Sequence, residues 1–226
     1  MSSVSAVVSA AGRIFYILDE ASPASILLPP KWSLAARDAF NGTILWKRPI
    51  GKWHTHLWPL KSGPAQLPRR LVAVGDSVYV TLSLDGPLTK IDAATGKTIQ
   101  TYKHTKGTEE IILSDGILFL LVNKHAEEPD FANLKKIRHA YRAKFWDEAP
   151  RQIMAVKADT GKVLWTAEQQ VLPVTLAAGR QGLFFHNGQS VVCLDRTTGG
   201  QKYDAGPSAL QRGYLDPGHR ASGFGD

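Results

Sequence analysis

One short pattern occurs four times in this chain, at residues 36–46, 90–100, 155–165 and 193–203. Each copy leaves a strand at Asp38, Asp92, Lys157 or Asp195 and turns at Gly42, Gly96, Gly161 or Gly199. It then enters a new strand that closes on Trp46, Gln100, Trp165 or Tyr203. An Asp at a strand end can accept hydrogen bonds from backbone two residues on, and Gly takes the left-handed position of a short hairpin loop. Each copy is therefore a hairpin. A unit that recurs like this cannot bury its apolar faces alone, so the chain must stack its repeats.

The residues around each hairpin complete the unit. In the second one, Leu71–Val74, Ser77–Ser83, Leu88–Asp92 and Lys97–Tyr102 read as four short strands, with tight turns at Gly75-Asp76 and Asp85-Gly86. The same grammar holds for Val7–Ala10 with Arg13–Leu18, for Glu110–Leu113 with Ile117–Val122, and for Val174–Ala177 with Leu183–His186 and Ser190–Leu194. Four antiparallel strands joined by tight turns make one blade of a β-propeller. The expected fold is all-β, with blades at about 4–48, 70–103, 109–168 and 173–204. The tail, 205–226, has no strand pattern and reads as disordered or as a blade cut short.

An Asp-Gly-x-Val-Tyr-Val-like strand followed by Ala-x-Asp-x-x-Thr-Gly-x-x-x-Trp resembles the quinoprotein-type (PQQ-like) propeller repeat, a WD40-like architecture. The resemblance covers nearly residues 5–204. It implies that Trp46 and Trp165, with Tyr203 as a substitute, pack between adjacent blades above turns at Gly42, Gly96, Gly161 and Gly199. Gln100 departs from it, so the contact beneath the second blade is expected to be weaker or filled from elsewhere. Lys157 replaces the usual Asp, leaving Asp159 to supply the turn hydrogen bond. Four units are fewer than the eight usual in this family, so a partial propeller with two exposed strand edges is expected over a closed four-bladed ring, completed by further blades of a longer chain or by a second copy.

Composition narrows the function classes. The net charge of +7 comes from 27 basic and 20 acidic residues. They are dispersed, with no recognition helix or stacking-strand motif, so a nucleic-acid partner is not expected. No run reaches the ~18 apolar residues of a membrane helix. The first residues read as strand rather than secretory signal, although the family is mostly periplasmic or of the cell envelope, and the compartment stays open. A single cysteine, Cys193, excludes an internal disulfide and reads as a buried structural thiol.

Departures from the repeat carry the functional reading. Segments Asp19–Lys31, Pro49–Pro68 and Asn123–Pro150 lengthen second-to-third or last-to-first connections, which leave an up-and-down blade on the same side. Long loops on a rigid scaffold are where binding concentrates. The third segment has Phe131, Leu134, Ile137, Tyr141 and Phe145 at helical spacing after Pro129-Asp130. The spacing predicts a helix near 130–145, packed over the rim or holding an acidic partner. Trp53, His54, His56, Trp58, Tyr141 and Arg142 are the candidate contacts to a protein or small-molecule ligand on this face. His54 and His56 share one side of an extended strand, but two ligands do not make a metal site. Glu109-Glu110 and Glu127-Glu128 read as solvated pairs. No catalytic arrangement is visible. The resemblance also implies an alternative, a dehydrogenase holding pyrroloquinoline quinone with Ca²⁺, against a scaffold of the kind that helps assemble outer-membrane proteins. The lone cysteine cannot form the adjacent-cysteine disulfide used by the quinone alcohol dehydrogenases. A scaffold lipoprotein would need a lipobox cysteine behind a signal sequence, which this sequence does not show.

Overall fold

A computed structural model of the chain describes residues 4–22, 24, 28–53, 67–124 and 149–205. They form four four-stranded antiparallel sheets, each built from four consecutive strands in chain order. The first sheet contains β1 (Val4–Ala10), β2 (Arg13–Asp19), β3 (Trp32–Asp38) and β4 (Ile44–Pro49). The second contains β5 (Leu71–Val74), β6 (Ser77–Thr81), β7 (Leu88–Asp92) and β8 (Thr98–Thr101). The third contains β9 (Thr108–Ser114), β10 (Ile117–Val122), β11 (Arg151–Lys157) and β12 (Val163–Gln169), and the fourth β13 (Ala177–Ala178), β14 (Leu183–His186), β15 (Val191–Leu194) and β16 (Gln201–Ala205). This is a partial β-propeller of four blades. The helix expected near 130–145 and the 206–226 tail lie outside the described residues.

The four hairpin turns are built alike. Asp38 Oδ1 accepts from the backbone N–H groups of Phe40 and Asn41, Asp92 Oδ1 from Ala94 and Thr95, and Asp195 Oδ1 from Thr197 and Thr198. Asp159 stands in at the Lys157 turn only in part, accepting from the Thr160 N–H at 2.7 Å. The glycine that ends each turn has φ near +73°, and its N–H closes onto the strand-end carbonyl four residues back. A bulge follows in every third-to-fourth strand pair, at Ala36/Arg37, Lys90/Ile91, Ala155/Val156 and Cys193/Leu194. An extra residue at that point increases twist and re-aims the side chains beyond it.

Those side chains pin one blade to the next. The Trp46 indole N–H donates to the Ala93 carbonyl at 3.0 Å, and Trp165 does the same to Arg196 at 2.9 Å. Both carbonyls belong to the residue after the strand-end Asp of the following blade's turn. At the middle junction Gln100 is replaced in this role by Tyr102, two residues further on. Tyr102 is buried, and its hydroxyl donates to the equivalent Ala158 carbonyl at 2.6 Å. Each knob also leans on an aromatic of its own blade: Trp46 on Phe15, Tyr102 on Tyr79 and Trp165 on Phe119, with centroids 6.1–6.4 Å apart.

Burial reports which faces are covered. The second strands of the middle blades, β6 and β10, are buried along almost their whole length on both faces. Their counterparts β2 and β14 alternate buried and half-buried. The open array therefore leaves two sheet faces uncovered rather than the two strand edges expected from the sequence, because blades stack face to face and not edge to edge. A second difference lies in the fourth blade. Its first strand was expected at Val174–Ala177, yet only Ala177–Ala178 pair as strand. Val174 has φ +57°, and its N–H is taken by the Glu110 carboxylate at 2.6 Å, which holds it out of the ladder.

Candidate functional site: the loop face

First-to-second and third-to-fourth turns of a blade touch each other. The N–H groups of Ala39, Ala93 and Ala158 donate to the Gly12, Asp76 and Gly116 carbonyls. The opposite face carries the roots of the three long segments. At the first root, Asp19 is buried, and its Oδ1 accepts from the Ala21 and Lys31 N–H groups at 2.9 and 2.7 Å. The Glu20 N–H donates to the Lys31 carbonyl, and Glu20 pairs with Lys47 on β4. The second segment leaves β4 and pairs with the β6–β7 connection, Gly51 N–H to Leu82 O and Lys52 O from Leu84 N–H, each 2.7 Å. It returns through a 3₁₀ turn, Leu67–Arg70.

A buried ionic cluster joins the second and third roots. Arg151, at the start of β11, donates through Nε to Glu109 Oε2 at 2.8 Å, and Asn123, just after β10, donates to Glu109 Oε1 at 3.1 Å. These three residues clasp the neck of the longest segment. One residue along β9, Glu110 is fully buried, with Oε2 3.5 Å from Arg69 Nε. Arg69 also donates to the Val174 and Leu176 carbonyls, so the second blade's 3₁₀ turn, the third blade's inner strand and the fourth blade's start are tied by one residue pair. Arg70 donates to the Leu84 carbonyl, and burial brings its guanidinium down to about 10. The expectation that Glu109-Glu110 is a solvated pair is thus overturned. Both acids sit where an inner strand meets arginines from two other elements, and a carboxylate there must be paired.

Burial raises the Glu110 carboxyl above its ordinary value, the Val174 N–H and Arg69 offsetting this only partly. The folded chain therefore binds that proton more tightly than the unfolded chain. This contribution to stability is complete below the ordinary carboxylate range and is lost as pH rises through the folded value. Glu110→Gln keeps an oxygen for Val174 and removes the titration. Its melting temperature relative to wild type is expected to climb from pH 4.5 to pH 7, and a constant gap across that range would contradict the assignment.

Of the candidate contact residues, Trp53 lies among the described residues. It is not a ligand contact. It is 1% exposed, belongs to the core between the first two blades, and its indole N–H donates to Ser5 Oγ at 2.9 Å. His54, His56, Trp58, Tyr141 and Arg142 lie outside the described residues. The sequence reading missed Arg69, Arg70, Glu109, Asn123 and Arg151. The signal available was positional: an Arg-Arg and a Glu-Glu pair, each at the mouth of a predicted inner strand.

The cluster does not suit a quinone–calcium centre. Ca²⁺ takes six to eight oxygens, whereas here the half-buried Glu109 is held by Arg151 and Asn123, and the buried Glu110 accepts from the Val174 N–H with Arg69 3.5 Å from its other oxygen. Among the described residues no three His, Cys, Asp or Glu side chains gather as a metal site, and no helix is long and apolar enough to cross a membrane. Cys193 is buried, as expected.

The family model described as outer membrane protein assembly factor BamB matches residues 30–213. The chain belongs to this family. No curated protein sequence matches it significantly. Among solved structures, BamB from Moraxella catarrhalis is similar with a TM-score of 0.51 at 12% identity, over 88% of this chain and 47% of that one. Quinohemoprotein alcohol dehydrogenase from Comamonas testosteroni gives 0.52 at 14%, over 92% and 37%. Pyrococcus horikoshii acylaminoacyl peptidase gives 0.53 at 10%, over 91% and 33%. These likenesses establish the propeller fold, and the chain spans a third to a half of each structure.

Proposed function

We propose that this BamB-family chain is a binding module that performs no chemistry of its own and engages a protein partner through the loop face. The observation that carries the reading is the construction of that face. The roots of three long connections lie on it, held by Asp19, Trp53 and the Glu109–Arg151–Asn123 group, while the opposite face is reduced to minimal turns. Such a frame presents loops rigidly at their bases, which lowers the ordering cost of binding. The family's description as an assembly factor supports a protein ligand over a small molecule. The commitment of Glu109 to Arg151, and of one Glu110 oxygen to the Val174 N–H, weighs against a dehydrogenase.

The test is site-specific photocrosslinking in the source cell. A crosslinker at Ser22 or Lys124, on the loop face, is expected to capture the same protein, whereas one at Lys97 or Lys162, on the turn face, captures none. Equal capture from both faces would reject the loop-face reading. A melting-temperature rise or a quinone absorbance shift on adding pyrroloquinoline quinone with Ca²⁺ would instead favour the dehydrogenase alternative.

A further inference from the structure

The knob-and-carbonyl junction occurs three times inside the chain, and among the described residues its two halves recur at the ends without each other. On the fourth blade, Ala177, Phe184, Cys193 and Tyr203 are opposite one another across β13–β16. The row corresponds to Val8, Phe15, Ala36 and Trp46 in the first blade and to Ile112, Phe119, Ala155 and Trp165 in the third. Tyr203 already leans on Phe184 at 6.4 Å, as Trp46 leans on Phe15, yet it is 51% exposed. A shallow hollow of about 510 Å³ opens beside it, lined by Arg180, Cys193, Arg196 and Lys202. The fourth blade thus has a finished knob.

The first blade has the matching socket. At Gly96 and Gly199 an added Cβ would strike the Trp46 and Trp165 rings at 2.7 and 2.6 Å, because those rings lie flat on the glycines. Gly42 has the same backbone, φ +74°, and nothing within 4 Å of that position. Ala39, bonded through its N–H to the Gly12 carbonyl, is the counterpart of the accepting Ala93 and Ala158. Beside it Phe40 is 92% exposed, where the other turns have Ala94, Asp159 and Thr197. The back face of this blade continues through Val7, Ile14 and Tyr16, with Val7 60% exposed.

We propose that the fourth blade of one copy docks onto the first blade of a second copy, with Tyr203 over the Gly42 turn and its hydroxyl donating to the Ala39 carbonyl. The contact is heterologous, so forming it at both ends closes a two-fold ring of eight blades. A chain that covers 47% of the BamB structure from Moraxella catarrhalis is the right share for half a ring. This inference does not depend on the loop-face reading, since the junctions use sheet faces and tight turns.

Sedimentation of the 226-residue chain at micromolar concentration is expected to give twice the mass of one chain. Tyr203→Lys and Val7→Glu alter exposed side chains at opposite ends. Each is expected to give folded monomers by circular dichroism. An equimolar mixture of the two variants is expected to regain association, because the intact back face of one meets the intact knob of the other. A monomeric wild type would overturn the proposal and assign the end faces to blades of a longer polypeptide. A dimer that survives Val7→Glu would overturn the head-to-tail arrangement.

Discussion

Truncating Tyr102 to Ala is expected to lower the unfolding free energy by about 3–5 kcal/mol, as much as truncating Trp165, while Gln100→Ala stays within ~1 kcal/mol. The repeat pattern puts Gln100, which lacks a ring, at the middle junction and leaves that contact weaker or filled from elsewhere. The structure assigns it to Tyr102, which is buried against Tyr79 and holds the Ala158 carbonyl. Losing the ring removes apolar burial and leaves that carbonyl without its donor, and both costs fall in a site walled by two sheets. Trp165 is likewise buried, and the half-buried Trp46 should cost less than either. Urea midpoints at one fixed protein concentration would rank the four variants. A Tyr102 change as mild as the Gln100 change would show that the junction is held elsewhere.

Gly107→Ala should be more damaging than any other glycine change at a turn, by several kcal/mol. Gly107 has φ +79°, and a Cβ built there lands on the Asn123 carbonyl oxygen, an atom of backbone that cannot swing aside. Its N–H and C=O bridge the Asp85 carbonyl and the Asn123 N–H, so displacement would disturb the neck of the longest segment as well. Gly116→Ala is the control. It carries the same left-handed backbone with open space around it, and should cost only the conformational penalty of about 1–2 kcal/mol. Thermal melts of the pair, at the same concentration, separate strain from collision. Equal losses would mean that the Asn123 backbone yields.

How far the sequence could be read depended on the range of the interactions. The hairpins were legible because Asp38, Asp92 and Asp195 bond within three residues of themselves, so the reason for the turn is written beside the turn. The four-blade architecture followed from their repetition. Tyr102 was missed because the pattern ties the knob to one position, whereas a phenol can reach the same carbonyl from two residues further along. The partners of Glu110 were not legible at all. Val174 lies 64 residues away, and Glu109 reaches Arg151 across 42, and nothing local signals either meeting. Trp53 was misread for a related reason. Its surroundings in sequence are loop-like, and the Ser5 hydroxyl that receives its N–H is 48 residues back on another strand.

The separation of the two faces also bears on how such a molecule could change over generations. The knobs that pin blade to blade, from the Trp46 ring on Gly96 to the Tyr102 hydroxyl on Ala158, sit on or near the side of the tight turns, where one added methyl group would collide. The long connections depart from the other side, beyond necks that are closed by their own hydrogen bonds. The architecture therefore lets the loop face be rewritten in length and chemistry while the knobs and sockets of stacking are inherited unchanged.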